Sequence, residues 1–200
     1  MGFFDEAKDM VHVDLELVEL ERNLKKVYKH YFKVNQNLND SKNYREAKFE
    51  KVQVALQQFK VYFDERDFHL SDSNVYIVAT LGQRRAELVI NDTLDLTLRV
   101  YSHNEVISDH TLFLEDKNKI IPKFNGKIMN EQVQFEDNYL GYSIQERFIK
   151  SIGDIEQDIE AVNERVKQGY KPEFQYYDVI NDERYLTLND LLNYLNDELG

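Results

Sequence analysis

The chain has no cysteine, and only 2 prolines and 7 glycines in 200 residues. Without thiols, a disulfide scaffold, a thiolate metal site and a cysteine nucleophile are excluded together, and a reducing cytoplasm is the expected compartment. No apolar run approaches the ~18 residues that a bilayer-crossing helix needs, so no membrane span is expected. The opening residues, Met1-Gly2-Phe3-Phe4-Asp5-Glu6, put no basic stretch ahead of an apolar one. Glu6 stands where a myristoylation pattern wants Ser or Thr, so neither export nor a lipid anchor is expected.

Chemical motifs are missing as well. Gly126-Lys127 lacks the earlier glycine and the following hydroxyl residue of a phosphate-binding loop. Neither Gly-x-Ser-x-Gly, nor His-Glu-x-x-His, nor a calcium loop of EF-hand form occurs. These absences lower the expectation of an enzyme, and no cofactor is expected.

What is present is a composition that can bury a core: 42% hydrophobic and 12% aromatic residues. The net charge of −12 is unevenly spread. Residues 1–130 hold 21 acidic and 19 basic side chains, whereas residues 131–200 hold 16 acidic against 6 basic. That last third repels nucleic acid and anionic lipid. Its partner, if it has one, is a basic protein; otherwise it is a solvated face that favours solubility.

From Met10 to Leu38, apolar residues fall at Met10, Val13, Leu17, Leu20, Leu24, Val27, Tyr31, Val34 and Leu38. Alternating steps of three and four place all of them on one seam of a long helix. Asp9, Asp14, Glu16, Glu19 and Glu21 precede Arg22, Lys25, Lys26, Lys29 and Lys33, an order that complements the helix dipole. After the polar turn Asn39-Asp40-Ser41, Phe49, Val52, Leu56, Phe59 and Phe63 repeat the period and predict a second helix over Lys42–Asp64. Its β-branched and aromatic content also suits a strand, but the spacing favours helix. A link this short predicts an antiparallel helical hairpin.

Beyond Asn74 the period changes. Val75–Leu81, Arg85–Ile90, Leu94–Tyr101 and Val106–Leu114 read as strands separated by short turns, which permit only antiparallel neighbours. Ile128–Phe135 is a candidate fifth strand and Phe174–Ile180 a last one. Helix returns over Ser143–Lys167, with Phe148, Ile152, Ile155, Ile159, Val162 and Val166 on one seam and Gly153 marking a place to kink or break. Thr187 caps a short final helix. The expected fold is α+β: an N-terminal helical hairpin (1–68), a four- to five-stranded antiparallel β-meander (69–140), and an acidic helical segment (141–200) packed on the rest.

Two constellations carry possible metal chemistry. His103, Glu105, Asp109 and His110 offer imidazole and carboxylate ligands for zinc or manganese, against a background reading of exposed polar side chains. Asp95 with Glu115-Asp116-Lys117 matches the Asp…Glu-x-Lys pattern of magnesium-dependent nucleases, although Asp116 stands where an apolar residue belongs. Arg22, Lys26, Lys29 and Lys33 form a basic stripe that reads as the solvated back of the first helix, so nucleic-acid binding is not expected.

The leading functional expectation is a non-enzymatic protein–protein interaction or scaffolding module, presented by Leu17, Leu20, Leu24, Val27 and Tyr31. The seams fit either helix pairing within one chain or a coiled-coil homodimer. A second expectation is an acidic inhibitor or nucleic-acid mimic, with Glu156, Glu160 and Glu164 spaced by four along one helix face. A metal-dependent nuclease is the third.

Overall fold

The computed structural model describes residues 3–73, 75–124, 126–129, 132–135, 139 and 141–199; for residues 3–14, Lys127 and Met129 it describes the backbone alone. Two helices come first, α1 (Phe3–Asn39) and α2 (Lys42–Asp64). Strands β1 (His69–Asp72), β2 (Tyr76–Leu81), β3 (Arg84–Ile90), β4 (Leu96–Ser102) and β5 (Glu105–Asp116) follow. Then come β6 (Gly126–Met129), β7 (Gln132–Phe135) and α3 (Ile144–Lys167). The chain continues through β8 (Phe174–Asp178), β9 (Glu183–Tyr185) and α4 (Leu188–Leu199). The fold is α+β, with its helices at the two ends of the chain and antiparallel strands in the middle. No described helix is long and apolar enough to cross a membrane.

The chain forms two compact units, and each is discontinuous in sequence: residues 1–41 with 120–170, and residues 42–119 with 171–200. This division differs from the expected one. Within the first unit α1 packs along α3, and within the second α2 covers a sheet. Periodicity shows that a helix has an apolar face, but not what that face meets.

In the first unit, α1 buries Leu24, Val34 and Leu38 and half-buries Leu17, Leu20, Val27 and Tyr31, so burial follows the seam. The side chains of Met10 and Val13 lie outside the described residues. α3 buries Phe148, Ile152, Ile155, Ile159 and Val162. Its start is a reciprocal capping box: Glu146 N–H donates to Ser143 Oγ and Ser143 N–H donates to Glu146 Oε2. The helix runs unbroken through Gly153, because Asp154 continues it rather than capping a new one. The expected strand over 128–135 is instead a ribbon of β6 and β7, paired from Gly126↔Phe135 to Met129↔Gln132. A Cβ at Gly126 would lie 2.6 Å from the Phe124 ring and 2.8 Å from the Gln134 carbonyl oxygen, which leaves room for glycine alone.

The second unit is a seven-stranded antiparallel sheet in the order β1-β2-β3-β4-β5-β8-β9. The four expected meander strands are its middle, while β1 and β9 are short additions at its edges. Alternation puts Ile77, Ala79, Ala86, Leu88, Leu96, Leu98, Leu112 and Tyr176 on one face, all essentially inaccessible. That face meets Val52, Ala55 and Phe59 of α2 and Leu188, Leu191 and Leu195 of α4. Thr187 and Asp190 cap α4 reciprocally. Between β4 and β5 the pairing passes from Val100↔Ser108 to Tyr101↔Val106. Ile107 is therefore an extra residue without a ladder partner, a β-bulge.

Candidate functional site

The residues of the nuclease pattern are not brought together. Asp95 is held in the turn before β4, where it accepts from Lys48 Nζ at 3.3 Å and Thr93 Oγ1 at 2.6 Å. Glu115 lies on the opposite sheet face from Leu112, in a cross-strand network with Arg184 at 2.8 Å, Gln175 at 3.0 Å, and Lys119. Lys117 turns to Glu173, 2.8 Å away. No hydrogen bond or ion pair among the described residues joins Asp95, Glu115 and Lys117.

The Glu115 network has a measurable consequence. Hydrogen bonds from Arg184 first, then Lys119 and Gln175, hold the Glu115 carboxyl down at about 2, against an ordinary value of 4.5. Because the folded value is depressed, this stabilisation is fully present above pH 4.5 and disappears as pH falls toward 2. Stability of Glu115→Gln measured by denaturation across that range should lose this acid-dependent component. An unchanged slope would show that the network does not hold the carboxylate.

The metal constellation is likewise dispersed. His103 occupies the β4–β5 turn at φ +53°, followed by Asn104 at φ +67°, so its ring is exposed at the hairpin tip. Asp109 points to the face of Arg99, whose Nε donates to it at 3.2 Å. His110, one residue on, points to the opposite, buried face. No group of three or more metal-ligating side chains exists among the described residues. Glu156, Glu160 and Glu164 are all exposed along α3, and none takes part in an ion pair among the described residues.

What the structure does assemble around His110 is a buried hydrogen-bonded relay. Ser108 Oγ lies 2.6 Å from His110 Nε2, and His110 Nδ1 lies 2.6 Å from Asp178 Oδ2. Asp178 is wholly buried; its Oδ2 also accepts from Asn181 Nδ2 at 2.9 Å and its Oδ1 from the Ile180 N–H at 3.1 Å. An acceptor this well supplied with donors fixes the ring tautomer: Nδ1–H donates to Asp178, which leaves Nε2 to accept from the Ser108 hydroxyl. Register explains the assembly. Ser108 and His110 are two residues apart on β5 and so share a face, and Asp178 pairs with Leu112 on the same face of the adjoining strand.

The second unit also holds a cavity of about 380 Å³, within the range of small-molecule pockets. Its apolar wall includes Phe63, Phe68, Val100 and Leu195, and Arg66, Arg84 and Arg85 supply charge, while no described carboxylate lines it. Arg85 stacks over the Tyr101 ring at 4.0 Å. Its buried Nε is ion-paired with Glu87 Oε1 at 3.3 Å, without the geometry of a hydrogen bond.

No family model, curated protein or solved structure matches this chain. The functional reading therefore rests on the geometry. His110 was visible in the sequence as a possible ligand, but Ser108 and Asp178 were not. The available signal was strand parity: in Phe174-Gln175-Tyr176-Tyr177-Asp178 a carboxylate continues the apolar face.

Proposed function

We propose that the chain is a protein–protein interaction module that pairs with a second copy of itself along α1. The observation behind this reading is a mismatch of lengths. α1 has 37 residues and α3 has 24, so α1 is the longer by roughly 20 Å at 1.5 Å per residue. Leu24 is fully buried and is taken up in the chain's own packing, whereas Leu17 and Leu20 are only half-buried. Leu15 and Val18 beside them are 64% and 54% exposed.

Charge favours a second copy as the occupant. The acidic half of α1 (Asp14, Glu16, Glu19) is followed by a basic half (Lys26, Lys29, Lys33). Two antiparallel copies set each half against its opposite, as flanking charges do in coiled coils. Exposed carboxylates on α3 support the second reading, capture of a basic protein.

Sedimentation equilibrium separates the two. The wild type should dimerise, and both the triple change of Asp14, Glu16 and Glu19 to Lys and that of Lys26, Lys29 and Lys33 to Glu should weaken dimerisation roughly tenfold or more. Mixing these variants should restore a heterodimer. A wild type that stays monomeric sinks self-association. A salt-sensitive complex with a basic protein that is lost on changing Glu156, Glu160 and Glu164 to Gln would establish the second reading in its place.

A further inference from the structure

We propose that Ser108, His110 and Asp178 form an acyl-transfer site that hydrolyses small esters with an apolar portion and a negative charge, an activity separate from self-association. Three observations converge on the β5 segment. First, the atoms that meet are those a Ser–His–Asp relay requires: hydroxyl to Nε2 at 2.6 Å, and Nδ1 to carboxylate at 2.6 Å. The ring is positioned to take the serine proton, while the carboxylate orients the ring and stabilises the imidazolium that forms. Such an arrangement is defined by geometry rather than by chain order, and it needs no Gly-x-Ser-x-Gly turn.

Second, the bulge at Ile107 immediately precedes Ser108. A bulge re-aims the side chains next to it and interrupts the ladder, which is why bulges recur beside active sites. Ser108 is only half-buried, although His110 and Asp178 are closed off from solvent. Ser108 is thus the least buried member of this chain of donors and acceptors.

Third, the cavity reaches the neighbours of Ser108, although no residue of the relay itself lines it. Val100, the ladder partner of Ser108, and Ile107, the residue before it, both line that cavity. Its apolar wall accommodates an acyl or aryl group. Arg66 and Arg84, on a lining with no described carboxylate, select an anionic substituent, while Arg85 is ion-paired with Glu87.

The chemistry balances without a further reagent. Ser108 Oγ bonds to the ester carbonyl carbon as the bond from that carbon to the alcohol oxygen breaks. His110 Nε2 takes the hydroxyl proton and delivers it to the departing alcohol. A water then gives a proton to His110 and attacks the acyl carbon; the free acid leaves, and the proton returns to Ser108 Oγ.

The experiment treats the intact protein with a fluorophosphonate probe and maps the adduct by mass spectrometry, alongside hydrolysis of p-nitrophenyl butyrate and of the anionic p-nitrophenyl hemisuccinate. The expected result is a single adduct on Ser108, with ester hydrolysis reduced on the order of a thousandfold in Ser108→Ala at an unchanged circular dichroism spectrum. The anionic ester should show the lower KM, and Arg84→Ala should remove that advantage without lowering kcat. No adduct on the folded wild type overturns the site, as does hydrolysis that survives Ser108→Ala. Equal KM values for the two esters overturn the assignment of an anionic substrate.

Discussion

Asp178→Ala should lower the unfolding free energy of the sheet-bearing unit by about 3–5 kcal/mol, the usual cost of removing one member of a buried hydrogen-bonded pair. The size follows from what the carboxylate satisfies. Asp178 is fully buried and accepts from His110 Nδ1, Asn181 Nδ2 and the Ile180 N–H. Alanine leaves those donors without an acceptor, at about 1–3 kcal/mol for each one that water cannot reach. Asp178→Asn retains one carbonyl oxygen and should cost less, because it turns an amide N–H toward only some of the same donors. Replacing both His110 and Asp178 with Leu should recover part of the loss, since apolar groups leave nothing unsatisfied. Urea unfolding of the three variants checks the order. A loss below about 1 kcal/mol for Asp178→Ala would mean that water reaches the pair and that the relay is not closed.

Phe59→Ala should cost a similar amount, about 3–5 kcal/mol, by a different cause. Phe59 is fully buried on α2, in the core cluster that holds Ala55, Leu88 and Leu98, with its ring 4.6 Å from that of Phe63. Removing the ring forfeits its transfer free energy and leaves a cavity that the close-packed sheet face cannot collapse to fill. Phe59→Leu should lose only a fraction of this, because most of the volume remains. The decisive comparison is urea midpoints followed by tyrosine fluorescence. Equal midpoints for Phe59→Ala and the wild type would show that α2 is not what closes this core.

These two residues also show what the sequence makes legible. Phe59 belongs to a three-four repeat, and that repeat placed α2 over Lys42–Asp64, as it stands in the structure. Strict alternation likewise gave the strand that contains Leu96 and Leu98. Local periodicity is a property of neighbouring residues, so it survives without knowledge of the fold. Asp178 depends on His110, a partner 68 positions away, and no spacing rule reaches that far. The pairing of α1 with α3 is hidden for the same reason. His103, Asp109 and His110 fail as a set on simpler grounds, since adjacent residues of a strand face opposite ways and a hairpin tip faces neither. β1 and β9 are too short, at 4 and 3 residues, to announce themselves by alternation.

The sheet is completed across a long interruption. β5 ends at Asp116, and its neighbour β8 does not begin until Phe174. On a ribosome adding ~5–20 residues per second, the free edge of β5 would wait roughly 3–12 s for the strand that covers it. During that interval the nascent sheet offers a row of unpaired amides and carbonyls, the template on which chains join edge to edge. The segment made in the meantime contains β6, β7 and α3, so a nascent chain must build much of one unit before it can close the other. Aggregation during synthesis, rather than instability of the finished protein, is where this topology is most exposed.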